Sequence, residues 1–190
     1  MSSIESTERS VSLWEATVAP IEFPALQSDI TADVCVIGAG IAGLTAAYLL
    51  AREGRSVVVL DRAAVGGGET GQTTAHLASA MDDFFHVIAA MHGPRGASLA
   101  RESHATAIDR IESIVNEEGI ECDFFRTLGW LFLAEGEDPE LLYTERDAAR
   151  AAGFNSAGNQ VDRFSSIPVD FWKSPPCLLF PNQAQFHPLR

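Results

Sequence analysis

Cysteine is scarce in this chain: three in 190 residues, at Cys35, Cys122 and Cys177, with no Cys-x-x-Cys or Cys-x-His spacing. An odd number of isolated thiols argues against the disulfide framework of a small secreted domain. A Rieske iron–sulfur centre needs two cysteines and two histidines, so these residues do not encode one. The three thiols are expected to be reduced and buried. Cations are scarce too: 13 Lys and Arg face 26 Asp and Glu, a formal charge of −13. That balance argues against nucleic acid or an anionic membrane surface as a partner. No apolar run reaches the roughly 18 residues of a transmembrane helix. The opening Met-Ser-Ser-Ile-Glu-Ser-Thr-Glu lacks the basic start and apolar core of a secretory signal. A cytoplasmic protein is expected. There is no internal repeat and no low-complexity run.

What the chain does have is concentrated between Ala32 and Asp61. Val34 to Ile37 is a short apolar run that suits a strand buried on both faces. Gly38-Ala39-Gly40-Ile41-Ala42-Gly43 follows at once, and then Leu44, Ala47, Tyr48 and Ala51 recur at helical spacing. Gly54 stops the helix, Val57 to Leu60 makes a second strand, and Asp61 ends it. Strand, glycine turn, helix, strand and acid, in that order, form the dinucleotide-binding βαβ unit. Gly38 permits the tight turn, Gly40 lets a pyrophosphate approach the backbone, and Gly43 lets the helix lie close on the sheet. The helix N-terminus then faces the phosphates with free N–H groups and a positive dipole end. Asp61 sits near the usual spacing for a carboxylate that accepts hydrogen bonds from a ribose. It would repel a 2′-phosphate, which disfavours NADP, and the adjacent Arg62 offsets this only in part. FAD and NAD both remain open on the βαβ unit alone.

The segment Gly66-Gly-Gly68-Glu-Thr70-Gly-Gln-Thr73-Thr74-Ala75-His76-Leu77 comes almost directly after the second strand. An NAD dehydrogenase would start another helix-and-strand crossover here. Small residues instead let backbone lie flat against a ligand, and the Thr hydroxyls can donate to phosphate or ring oxygens. Gly68, Thr70, Thr73, Thr74, Ala75, His76 and Leu77 are therefore candidate cofactor contacts.

These residues resemble the N-terminal part of the D-amino-acid oxidase (DAO)-like FAD-dependent oxidoreductases, a family that includes glycine and sarcosine oxidases. The resemblance rests on Gly38-Ala-Gly-Ile-Ala-Gly43, Asp61 and the loop from Gly68 to Leu77. Gln185-Phe-His-Pro-Leu-Arg190 is similar to the family's approach to its next helix. The loop is most similar to a bacterial subgroup that often carries a C-terminal Rieske domain. The resemblance implies FAD as cofactor and an amine or amino acid as the small-molecule substrate. The flavin would accept a hydride from the carbon beside the nitrogen. It implies no catalytic acid or base that can be named, and no metal. Covalent attachment through His76 is a weaker reading than plain flavin contact.

The expected fold class is α/β: a Rossmann-like FAD/NAD(P)-binding domain followed by the start of an α+β substrate domain. The expected divisions are a leader over 1–30, a FAD-binding part over 31–120 and a partial substrate domain over 121–190. Members of the resembling family are about twice as long, so a truncated chain is expected, with exposed sheet edges that could drive self-association. Two rival functions stand beside the flavoenzyme: an NAD-dependent dehydrogenase, and a non-catalytic remnant that binds adenine nucleotides.

The remaining elements can be placed coarsely. Trp14, Phe23 and Leu26 are candidates to pin the leader. A short helix is expected over 82–92, and a longer one from Pro94 to Glu118, closed by Gly119. Cys122 to Arg126 and Trp130 to Ala134 are expected to pair as a hairpin around Thr127-Leu-Gly129. Another helix is expected from Glu137 to Ala152, stopped by Gly153. Residues 153–190 look irregular apart from a strand over Cys177–Phe180. His104 falls on an apolar stripe and is expected to be packed. His86 and His92 are expected to be solvated, and His187 lies beside the chain end.

Overall fold

The computed structural model describes residues 10–134, 136–156, 159–160, 162–164 and 177–190. The first nine residues of the expected leader lie outside them. The chain divides into two compact units. One runs up to Ala75 and takes back His187–Arg190; the other is His76–Phe186.

The first unit opens with a short helix α1 (Leu13–Thr17). Ser12 and Glu15 form a reciprocal capping box on it, which satisfies two helix-end donors. The βαβ unit follows as β1 (Val34–Ile37), α2 (Ile41–Arg52) and β2 (Val57–Leu60). The two strands are parallel, with Val34 opposite Val57 and Ile37 opposite Leu60. Asp33 and Ser56 staple the entry to both strands. The Ser56 amide and hydroxyl donate to the Asp33 carboxylate at 2.9 and 2.8 Å. Those bonds hold the Asp33 carboxyl below its usual range.

β1 is not buried on both faces. Val34 and Val36 are half-buried, whereas Cys35 is exposed and Ile37 is 78% exposed. Helix α2 lies on the Val36 side, which the close approach of Gly43 to that side chain shows. Among the described residues of this unit no element covers the other face. Of the three thiols, only Cys122 and Cys177 are buried as expected.

The second unit holds an antiparallel sheet. It consists of β3 (His76–Leu77), β4 (Phe125–Phe132), β7 (Asp162–Phe164) and β8 (Cys177–Gln185), with β8 paired to all the others. The small strands β5 (Asn155–Ser156) and β6 (Asn159–Gln160) pair with each other. Its helices are α3 (Phe85–Glu118) and α4 (Glu140–Ala151). Gly93 breaks α3 with φ +75° ahead of Pro94, so the two expected helices are present end to end. Gly119 closes α3 in the left-handed conformation.

The expected hairpin around Thr127-Leu-Gly129 does not form. Residues 125–132 are one strand, and their partner is β8, far away in sequence. Gly129 is there for close approach rather than for a turn: a Cβ on it would lie 3.0 Å from Gln183 Cγ. The register shifts between Thr127 and Gly129, where Pro181 and Asn182 bulge out of β8. Pro has no ladder N–H, and Asn182 sits at φ +60°, so both suit a bulge. Helix α4 starts three residues later than expected, behind Pro139, and stops at Gly153 as expected.

The core of this unit is aromatic. Phe154 packs edge-to-face on Phe85 and on Phe180, with ring centroids 5.6 and 5.2 Å apart. Ile88, Leu142, Ala149 and Leu178 close around them.

Candidate functional site

Gly38 and Gly43 take the backbone roles that their spacing predicts. Gly38 adopts φ +106°, which a residue with a Cβ rarely adopts. A Cβ on Gly43 would sit 2.0 Å from the Gly38 carbonyl oxygen, so Gly43 serves helix–turn packing. A Cβ on Gly40 would meet only the Thr70 hydroxyl, at 3.1 Å. Intrahelical bonding in α2 begins with the Leu44 amide donating to the Gly40 carbonyl. The amides of Ala42 and Gly43 therefore have no acceptor within the helix.

Two long-range contacts lock the turn. The Asp61 carboxylate accepts from the Ala39 amide at 2.7 Å and from the Ala63 amide at 2.8 Å. The Ala39 carbonyl in turn accepts from the Gly66 amide at 2.9 Å. The Ala39 and Ala63 amides, in that order, hold the Asp61 carboxyl below its usual range. A carboxylate has about four acceptor positions. Two amides occupy two of them, and the exposed remainder is available to ribose hydroxyls. The Thr70 hydroxyl accepts from the Ile41 amide at 3.0 Å, capping α2 from the loop. This contact joins two sequence-predicted site residues, Ile41 and Thr70.

The rest of the loop is a 3₁₀ turn, Glu69–Gln72, with Gly68 at its start. The Thr73 carbonyl accepts the Trp14 indole N–H at 2.8 Å, and its hydroxyl accepts from the Ala75 amide at 3.3 Å. Thr74 is exposed, and Ala75 is buried at φ +60°. Arg62 lies on the cleft wall and is exposed. His76 and Leu77 belong to the second unit. They form β3, opposite Gln185 and Ala184, and the Gln185 amide meets the His76 imidazole there.

A cleft of about 630 Å³ opens beside Asp61. Ala39, Leu44 and Val59 belong to its βαβ side, Arg62–Val65 continue past Asp61, and Glu22–Leu26 make a further wall. That volume falls in the ~300–1,000 Å³ range of small-molecule sites. Phe23 and Leu26 do not pin the leader, being 75% and 55% exposed. Trp14 does, together with Glu15, which accepts from Gln72 at 3.0 Å. Nothing local in the sequence connects residues 22–26 to Asp61, so their place on the cleft was not legible in advance.

Three histidines make polar contacts within their own units. His86 is not merely solvated: its Nδ1 bonds the buried Glu145 carboxylate at 2.8 Å. His104 is exposed rather than packed, and its Nδ1 meets the Ala78 carbonyl at 3.2 Å. His187 bonds the Thr17 hydroxyl at 2.9 Å and lies edge-on to Trp14. Among the described residues no group of three or more His, Cys, Asp or Glu is arranged to hold a metal. No described helix is long and apolar enough to cross a membrane.

A parallel βαβ unit with a left-handed turn glycine, a helix start open to phosphate and a carboxylate at the end of β2 defines a dinucleotide-binding protein. Residues 33–190 match the family described as FAD dependent oxidoreductase (DAO), and the chain belongs to that family. FAD is therefore the cofactor, which settles the choice that the βαβ unit left open between FAD and NAD. The residues suit it: a side chain at Gly40 would meet only the Thr70 hydroxyl, and the exposed Asp61 carboxylate lines the cleft.

The chain is similar to the Bacillus subtilis protein YhfW, whose name describes a Rieske 2Fe-2S iron–sulfur protein. Identity is 33%, over 93% of this chain and 34% of that protein. It is 32% identical to the gamma-glutamylputrescine oxidoreductase of Escherichia coli, over 67% of this chain and 30% of that one. The fold is like that of the L-amino acid deaminase from Proteus vulgaris, with a TM-score of 0.66 and 18% identity. That match covers 90% of this chain and 38% of the deaminase. Glycine oxidase from Geobacillus kaustophilus gives a TM-score of 0.63 at 16% identity, covering 83% of this chain and 41% of the oxidase. The chain thus spans about a third of the length of these curated relatives.

Proposed function

We propose that residues 10–75 hold the adenosine and pyrophosphate of FAD for an oxidoreductase that acts on an amine or amino acid. The observation that carries the cofactor half is the Asp61 carboxylate, fixed by two backbone amides yet exposed on the cleft wall. The glycine turn would receive the pyrophosphate: Gly40 has no side chain in the way, and the Ala42 and Gly43 amides point out of the helix start. FAD when bound supplies the two-electron acceptor. The amine half of the reading is supported by the family and by similar proteins named for gamma-glutamylputrescine, glycine and L-amino acids. Thr70 caps the helix start from the loop, and Asp61 and Gly66 hold the turn through Ala39, so these three residues shape the site. The odd count of three cysteines, scattered along the sequence, supports a cytoplasmic setting.

Titration of the chain with FAD and ADP tests the cofactor half. Both should bind. Asp61→Ala should weaken each several-fold, since one lost hydrogen bond costs about 1 kcal/mol. Equal binding by wild type and variant would remove Asp61 from the site. The amine half is tested in a chimera in which this chain replaces the corresponding third of the Escherichia coli relative. A yellow protein that reduces a dye only with an amine present supports the reading, and a colourless one rejects it.

A further inference from the structure

The wall built by residues 22–26 lies outside the family match, which begins at residue 33. We infer that these residues form a strap that receives the adenine ring, with Phe23 and Leu26 as its contact surface. This rests on the reading of the Asp61 cleft as the adenosine half-site, and it adds a subsite from a segment that precedes the βαβ unit.

Three observations carry it. First, the strap is held. Its preceding helix α1 is docked on the loop through Trp14–Thr73 and Glu15–Gln72, and the Val65 amide donates to the Ile21 carbonyl at 3.4 Å. Second, the held segment exposes what a folded chain normally covers. Phe23 and Leu26 line the cleft at 75% and 55% exposure, with Pro24 and Ala25 between them. A flat ring with an apolar face and polar edges is the occupant that such a wall complements. Third, the chemistry of the cofactor puts the base there. The Asp61 carboxylate takes the ribose, the pyrophosphate leaves that sugar toward the glycine turn, and the base leaves it on the other side. The lining beyond Asp61 is Arg62–Val65 and the strap. Glu22 adds a carboxylate to the same wall, an acceptor that suits the exocyclic amine of adenine. The alignment with the Bacillus subtilis protein covers 93% of the chain and so extends into this segment.

Calorimetric titration of the 190-residue chain with ADP and with UDP tests the strap. Stacking of a base on an aromatic ring makes Phe23→Ala cost ADP about five-fold or more in affinity. UDP should lose by a smaller factor, because it offers a smaller ring and no amine to Glu22. Phe23→Trp should bind ADP like wild type. If Phe23→Ala and Leu26→Ala bind ADP like wild type while Asp61→Ala does not, the strap is overturned and the half-site stands. An equal loss for ADP and UDP also overturns the adenine contact. Failure of the wild-type chain to bind ADP overturns half-site and strap together.

Discussion

Gly38 and Gly43 were readable because each answers a backbone need that only glycine meets. Gly38 must reach a positive φ, and Gly43 must let a carbonyl come within a distance no Cβ allows. The structure also separates what the motif runs together. Gly43 is packed against backbone, which cannot give way, whereas Gly40 faces a side-chain hydroxyl and the ligand side. Gly43→Ala should therefore destabilise the unit by about 1–3 kcal/mol, the usual cost of forcing atoms into a packed site. Gly40→Val should keep the fold, with Thr70 rotating away, and lose nucleotide binding. Urea melts and ADP titrations of the two variants check this, and a Gly40→Val protein that binds ADP normally would make the turn structural only. Asp61 was readable from its position after β2, but its grip on the Ala39 amide was not. Neither was the Thr70 cap on α2. Both are tertiary contacts that bring together residues 22 and 29 positions apart, which no local pattern records.

At the scale of elements, periodicity and stop signals were reliable and pairing was not. The βαβ strands, the kinked pair of helices within α3 and the close of α4 at Gly153 follow from spacing and from glycines at positive φ. The hairpin failed because a glycine between two apolar runs reads as a turn, while Gly129 marks a bulge against a strand about fifty residues on. β8 was seen only as far as Phe180, because Pro181 looks like a strand end when it is part of that bulge. Glu145 could not be foreseen as a cap, since it lies in α4 and the helix it caps is α3. It is 1% exposed, and it accepts from the Phe85 amide at 2.7 Å and the His86 amide at 3.1 Å, as well as from the His86 ring. Phe84, at the cap position, has φ +52° and offers no side-chain acceptor. Glu145→Ala should leave two amides at a buried helix start without partners and cost about 1–3 kcal/mol per orphaned group. Glu145→Gln keeps an acceptor and should cost less. Thermal melts that rank the two variants the other way would show that packing, not capping, explains this carboxylate.

Taken as a whole, the molecule places its binding chemistry and its apolar core in different units. The buried side chains of the first unit include Ala39, Ala47, Ala75 and His187, while the second buries Phe85, Phe154, Phe180, Leu142 and Leu178. Alanines remove little apolar area from water, and hydrophobic stabilisation scales with that area. The first unit also leaves Ile37, Phe23, Leu26 and Ile41 exposed. Local opening should therefore be cheaper in the first unit than in the second. Native-state hydrogen exchange reads this directly. The amides of β1 and β2 should exchange at lower opening free energy than those of β4 and β8. A ligand that binds only the closed form raises that free energy, by about 2.7 kcal/mol at a hundred-fold excess over its dissociation constant. ADP should thus slow exchange at Val34–Ile37, Val57–Leu60 and the Ala39 amide that Asp61 holds. It should leave the exchange of β4 and β8 as it was. Uniform protection across both units without ligand would show that the aromatic core stabilises the whole chain as one cooperative body. Protection by ADP confined to β4 and β8 would place the nucleotide away from the glycine turn.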